Sequence, residues 1–222
     1  MQRAPDTDKF GPEEFANCAR VSRETLARFK VYASMLEDWN ARHNLVSRAS
    51  MAQLWKRHFL DSAQLFNFIP ETVRSMVDLG SGAGFPGLVL AEMLRTRGGI
   101  GVVLYESIRK KAEFLLSVSE RLKLNVEVRR ARIEDATPEI FDLITARACA
   151  PLPILLPYAQ RFWGKDTIAL FLKGQNLGVE LTGTNKSWSM GAQSHPSRSD
   201  PTGVILEIRE LHRVAAKPKS RT

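Results

Sequence analysis

The ten residues Asp78-Leu-Gly-Ser-Gly-Ala-Gly-Phe-Pro-Gly87 constrain this chain more than any other stretch. They follow a short apolar run at 76–79 and lead into a helical pattern at 86–95. Glycines in a strand-to-helix turn reach positive φ without strain and let a ligand approach the backbone. The helix beyond offers unpaired N–H groups and a positive dipole end, which suit an anion. The same texture continues downstream. Apolar strand-like segments at 102–105, 126–128, 141–145, 167–172 and 204–208 alternate with helical patterns at 109–122 and 151–163. Strands alternating with helices predict a mainly parallel sheet covered on both faces.

Upstream the pattern is helical only, from Pro12 to about Trp39 and again over 51–68. The expected organisation is a loose tail at 1–11, a helical cap at 12–70, an α/β domain at 71–214 and a basic tail at 215–222. After Gln175 the signal weakens, and the stretch at 182–203 is rich in Gly, Ser, Asn and Pro. With 222 residues, 44% apolar and 25% charged, the chain has the composition of an ordinary globular protein. Its longest clean apolar run, 168–172, is far too short for a membrane helix. Residues 1–20 hold no apolar segment of the secretory type. Cys18 and Cys149 stand far apart in no CxxC pair, which fits a reducing cytoplasm. The four histidines share no metal-ligand spacing, so no metal is expected. The net charge of +8 points to a polyanionic partner, of which nucleic acid is the commonest.

Three readings of the glycine turn compete. Gly82-Ala-Gly84-Phe-Pro-Gly87 matches the GxGxxG of a dinucleotide fold, with Glu106 near the place of a ribose-binding acid. S-adenosylmethionine is the second reading, through Asp78, then Gly80, Gly82 and Gly84, then Glu106 at the end of the next strand. A structural turn without ligand is the third. A lysine phosphate loop is excluded, because no Gly-Lys-Ser/Thr follows. Asp78 favours S-adenosylmethionine: a carboxylate beside the loop repels a pyrophosphate but suits a ligand carrying a sulfonium and an ammonium.

The order of further motifs is more specific. Trp39-Asn40, Asn44-Leu45, His58-Phe-Leu-Asp61-Ser62, the glycine turn with Phe85, Tyr105-Glu106-Ser107, Arg132-Ile133-Glu134, Arg147-Ala148 and Leu172-Lys173-Gly174 together resemble the bacterial 16S rRNA guanine-N7 methyltransferase family, RsmG (GidB). The resemblance runs over about 26–178 and the last strand. It implies a Rossmann-like class I methyltransferase sheet with an N-terminal helical cap, S-adenosylmethionine as donor, and 16S rRNA of the small ribosomal subunit as partner, with guanine 527 as acceptor. It places Gly80, Phe85, Ile133, Glu134 and Arg147 at the donor, beside Asp78, Gly82, Gly84 and Glu106. Guanine N7 carries no proton to remove, so such a site needs alignment rather than a general base. Lys110, Arg132, Arg147 and Lys173 are the candidate catalytic residues, each near the carboxyl end of a strand. Trp39, Trp55 and Phe59 are expected in the core. A non-catalytic RNA-binding protein on the same fold, a dinucleotide oxidoreductase and a methyltransferase of another substrate are the alternatives.

Overall fold

A computed structural model describes residues 10–184 and 186–214. The amino-terminal part is helical: α1 (Pro12–Ala19), α2 (Arg23–His43) and the single turn α3 (Arg48–Met51). The expected first helix is thus two. Arg20 adopts a left-handed conformation that ends α1, and Ser22 caps α2 by accepting from Thr25 N at 3.1 Å. Asn44, also left-handed, ends α2, and Asn40 Oδ1 accepts from Val46 N at 2.8 Å to fix the turn. The expected second helix is interrupted as well. A π-turn (Trp55–Leu60) runs into α4 (Asp61–Ala63) and a 3-10 turn (Gln64–Phe68).

The remainder alternates as β1 (Ser75–Leu79), α5 (Gly87–Leu94), β2 (Gly101–Tyr105), α6 (Arg109–Leu122), β3 (Val126–Arg129), β4 (Leu143–Arg147), α7 (Leu152–Gln160), β5 (Ile168–Lys173), α8 (Leu177–Thr184), β6 (Trp188–Pro196) and β7 (Val204–Arg213). The sheet order is β3-β2-β1-β4-β5-β7-β6; the first five strands are parallel, and β7 and β6 are antiparallel. The expected fourth strand shifts two residues later, because Asp142 accepts from Arg74 N and Ser75 N at 2.8 and 2.9 Å and so ties the strand's entry to the foot of β1. The Gly/Ser/Asn/Pro-rich stretch of weak signal contains the end of α8 and all of β6.

Strand parity divides the core. Met76, Val102, Leu104, Leu143 and Leu170 face the layer of the cap, α5 and α6, whereas Val77, Leu79, Ile144 and Phe171 face α7 and α8. The cap has no core of its own: Phe15, Phe29, Tyr32 and Phe59 join the first layer with Phe85 and Phe114. Phe59 is fully buried, Trp55 stacks on it, and Trp39 packs on Phe114 at the margin of the same layer. Arg28 of α2 adds an ion pair at 2.7 Å to Glu92, a buried carboxylate of α5.

Candidate active site

The glycine turn stands at the carboxyl end of β1, beside the point where strand order reverses between β1 and β4. Open α/β sheets bind ligands in this crevice. Gly80, Gly82 and Gly84 all have positive φ, at 69°, 59° and 93°. A Cβ on Gly80 would lie 2.8 Å from Cys149 Sγ, so the half-buried thiol closes against this backbone. A Cβ on Gly84 would collide with the Tyr32 hydroxyl and Leu88. Tyr32 donates from that hydroxyl to Ala83 O and stacks on Phe85 with centroids 5.3 Å apart. The cap therefore holds the turn from above.

Two carboxylates lie beneath it, and one of them, Glu106, holds it. Glu106 follows β2, is almost fully buried, and accepts from Gly82 N at 2.9 Å and Ile108 N at 2.7 Å. Asp78 is fully buried on the cap-facing side of β1. Its Oδ1 accepts from Thr145 Oγ1 at 2.7 Å, and its Oδ2 has no partner among the described residues. Gly87 makes room for it, since a Cβ there would stand 2.7 Å from Oδ2. Burial pushes the Asp78 carboxyl up to about 6, against the pull of the Thr145 and Ser81 hydrogen bonds and the charge of Arg147.

Beside the turn opens a cleft of about 570 Å³, lined among others by Gly80, Gly82, Phe85, His58, Arg147 and Lys173. Arg147 ends β4 with its side chain 18% exposed. Its guanidinium lies 5.2 Å from the Phe85 ring centroid, a cation–π contact. Nη1 donates to the Arg57 carbonyl of the π-turn at 2.8 Å, Nη2 meets His58 Nδ1 at 2.7 Å, and Asp61 Oδ2 lies 3.5 Å away. Burial lowers the Arg147 pKa, opposed by Asp61, and a guanidinium still keeps its charge. Burial and then the neighbouring charges of Arg147 and Arg57 push His58 down to about 3. Asp61 is raised by burial, and accepts from Ser199 Oγ at 2.6 Å and Gln64 Nε2 at 3.0 Å. Gln64 in turn accepts from Arg198 N at 2.8 Å. The β6–β7 turn is thereby sewn to the cap. Ala148, next after Arg147, has φ at +50°, a strained backbone for alanine at the rim of the cleft.

Among the residues expected from sequence, Gly80, Gly82, Phe85, Arg147 and Lys173 meet at the cleft, and Glu106 sits behind the turn. Asp78 does not line the cleft but lies enclosed beneath the turn, and Gly84 faces the cap. Lys173 is held by Glu180 at 2.6 Å and donates to Ala150 O at 3.2 Å. Lys110 is exposed and outside the cleft; one residue on, Lys111 is half-buried and lines it. Arg132 is 72% exposed, with Glu134 at 3.7 Å, and neither lines the cleft. Ile133 is buried in the layer shared with Tyr105 and α7. His58 and Asp61 stand in the motif His58-Phe-Leu-Asp61-Ser62, for which the sequence leaves a polar site contact and a structural role both open, and the structure brings both to Arg147; Ser199 carries no sequence signal, since it lies in a polar stretch without periodicity. Among the described residues no group of three or more His, Cys, Asp or Glu comes together as a metal site, and no helix is long and apolar enough to cross a membrane.

Known proteins share both the fold and the sequence. An O-methyltransferase from Bacillus cereus, solved in complex with S-adenosylhomocysteine, superposes with a TM-score of 0.58 at 19% identity, covering 90% of this chain and 96% of that one. A ribosomal protein L11 methylase from Lactobacillus delbrueckii gives 0.55 at 15% identity, over 68% and 77%. These likenesses identify the class I methyltransferase fold. Residues 25–200 match the family model described as rRNA small subunit methyltransferase G. Proteins named ribosomal RNA small subunit methyltransferase G are 44% identical in Parvibaculum lavamentivorans, over 94% of this chain and 93% of that one, and 46% identical in Paramagnetospirillum magneticum, over 94% and 100%.

Proposed function

The chain belongs to the rRNA small subunit methyltransferase G family, and from that premise we propose that it transfers a methyl group from S-adenosylmethionine to N7 of a guanine in 16S rRNA, acting in the cytoplasm on the small ribosomal subunit. The residues present fit the donor. The turn offers backbone without side chains at Gly80 and Gly82, the fixed Glu106 carboxylate stands at the end of β2, and the unpartnered Asp78 Oδ2 supplies negative charge behind the turn. When bound, S-adenosylmethionine supplies an electrophilic methyl on a sulfonium. In this reading Glu106 accepts from ribose hydroxyls while it keeps Gly82 N and Ile108 N. The net charge of +8 suits an RNA substrate.

The observation that carries the reading is the seating of Arg147. It stands at the rim of the glycine turn, over the Phe85 ring, with N–H donors left over after those spent on Arg57 and His58. A planar fork held this firmly can orient a guanine edge. His58, held neutral and with Nδ1 occupied, is not available as a base, which agrees with a nucleophile that has no proton to lose. Arg147→Lys keeps the charge and loses the fork. It should lower single-turnover methylation of small subunits by about a hundredfold while S-adenosylhomocysteine binding, read by calorimetry, stays within about threefold. A parental rate in Arg147→Lys would remove the positioning role.

A further inference from the structure

We infer that His58 and Asp61 are positioning residues that lock the Arg147 guanidinium in its working orientation, and that His58 does so as one fixed neutral tautomer. The inference deepens the methyl-transfer reading and rests on it for its kinetic consequence only. It starts from a constraint of chemistry. Arginine has five donors and no acceptor, so the 2.7 Å contact between Arg147 Nη2 and His58 Nδ1 requires Nδ1 to be the acceptor. The proton of the neutral ring must then reside on Nε2. That atom is buried and has no partner among the described residues.

A residue there for packing alone would not bring an uncompensated N–H into a layer shared with Phe85, whose ring centroid is 4.8 Å from that of His58. The imidazole is retained as an acceptor aimed at a cation. Protonating it would remove the acceptor and set a second positive charge against Arg147. The groups that face the ring bear this out: Arg147 from β4 and Arg57 on its own turn both disfavour the charged form, and burial disfavours it most. Asp61, 3.5 Å from Arg147 Nη1, balances the guanidinium charge and is itself anchored by Ser199 and Gln64. The three contacts come from the Arg57 carbonyl, His58 and Asp61, within five residues of one π-turn and its continuation. Such π-turns recur at functional sites because they re-aim side chains and carbonyls.

The test uses the full chain and two independent readouts. The first is the ring nitrogen signals of His58 by nitrogen-15 NMR, assigned by their loss in His58→Asn. Expected is an Nε2–H tautomer that persists through the pH range in which an ordinary histidine titrates near 6.5, and a mixture of tautomers in Arg147→Met, which removes the donor that makes Nδ1 the acceptor. A His58 that titrates normally in the parental protein, or a tautomer unaffected by Arg147→Met, overturns the inference whatever reaction the protein performs. The second is single-turnover methylation of small subunits at saturating donor. His58→Leu should lose about tenfold to a hundredfold, and His58→Asn should restore much of that, because Asn Oδ1 takes the place of Nδ1. In an Arg147→Lys background, His58→Leu should cost less than about threefold more. Equal losses in both backgrounds overturn the inference, whereas a parental protein that methylates nothing counts against the methyl-transfer reading and leaves the NMR result to decide this one.

Discussion

Asp78 shares a face of β1 with Met76 and lies under the first turn of α5, closed off by Gly87 and Thr145. Burial raises its pKa from the usual carboxylate value to about 6. The folded chain therefore binds this proton more tightly than the unfolded one. Stability is greatest below about pH 4 for this group and falls as pH rises to about 6, a loss of about 3 kcal/mol by linkage. Asp78→Asn removes the dependence. It should be more thermostable than the parental protein at pH 7.5, with the gap closing towards pH 4.5, and should bind S-adenosylhomocysteine more weakly. Melting curves at the two pH values check this; a gap that does not change with pH contradicts it. Glu106 gives a second outcome at this scale. Its two oxygens fix Gly82 N and Ile108 N, and under the proposed function they also accept from ribose hydroxyls. Charge-assisted hydrogen bonds of this kind contribute about 1.5–3 kcal/mol. Glu106→Ala should weaken S-adenosylhomocysteine by about tenfold to a hundredfold in calorimetry, and Glu106→Gln by less; an effect below about twofold leaves Glu106 a structural brace only.

At the scale of elements, the cap works as a clamp on the glycine turn, and Tyr32 of α2 is its contact point. Tyr32→Phe keeps the stacking on Phe85 and strands the Ala83 carbonyl in a buried place. An unpaired buried acceptor costs about 1–3 kcal/mol, which in a chain of this size lowers the Tm by about 2–4 °C per kcal/mol. A Tm within about 1 °C of parental, with unchanged donor affinity, would show that the clamp is dispensable. Elements were legible in the sequence to the degree that their signal is local. β1, β2, β4, β5 and the first half of β7 are apolar on both faces or nearly so, β3 alternates valines with Glu127 and Arg129, and α6 is amphipathic, so each stands out. β6 does not, because it is an edge strand paired only with β7 and mostly exposed, and its Gly, Ser, His and Pro residues carry no alternation. The glycine turn was legible because its whole signature lies within one turn. The Arg147–His58 contact was not, since it joins residues 89 apart through the docking of the cap. Lys110 and Lys111 differ by one step of about 100° around α6, and only the seating of that helix decides which of them enters the cleft.

The whole molecule joins a crevice at the strand switch point to a cap whose polar residues reach over it, with the β6–β7 turn closing the side through Ser199 and Asp61. Its positive charge is not uniformly available. Arg129 is neutralised by Glu127 and Glu139, and Arg109 pairs with Glu113 at 3.5 Å. Lys217, Lys219 and Arg221 lie outside the described residues. Lys111 and Arg57 remain at the cleft, where a phosphate backbone would have to pass for a guanine to enter. The central claim is that this assembly methylates one guanine of 16S rRNA at N7. Small subunits from bacteria lacking the modification, incubated with the protein and S-adenosylmethionine, should acquire a single site of chain cleavage under chemistry selective for N7-methylguanine, absent without the protein or with Arg147→Lys. A methyl group found on another atom or another RNA, or no methyl transfer by a protein that binds the donor, would contradict the account.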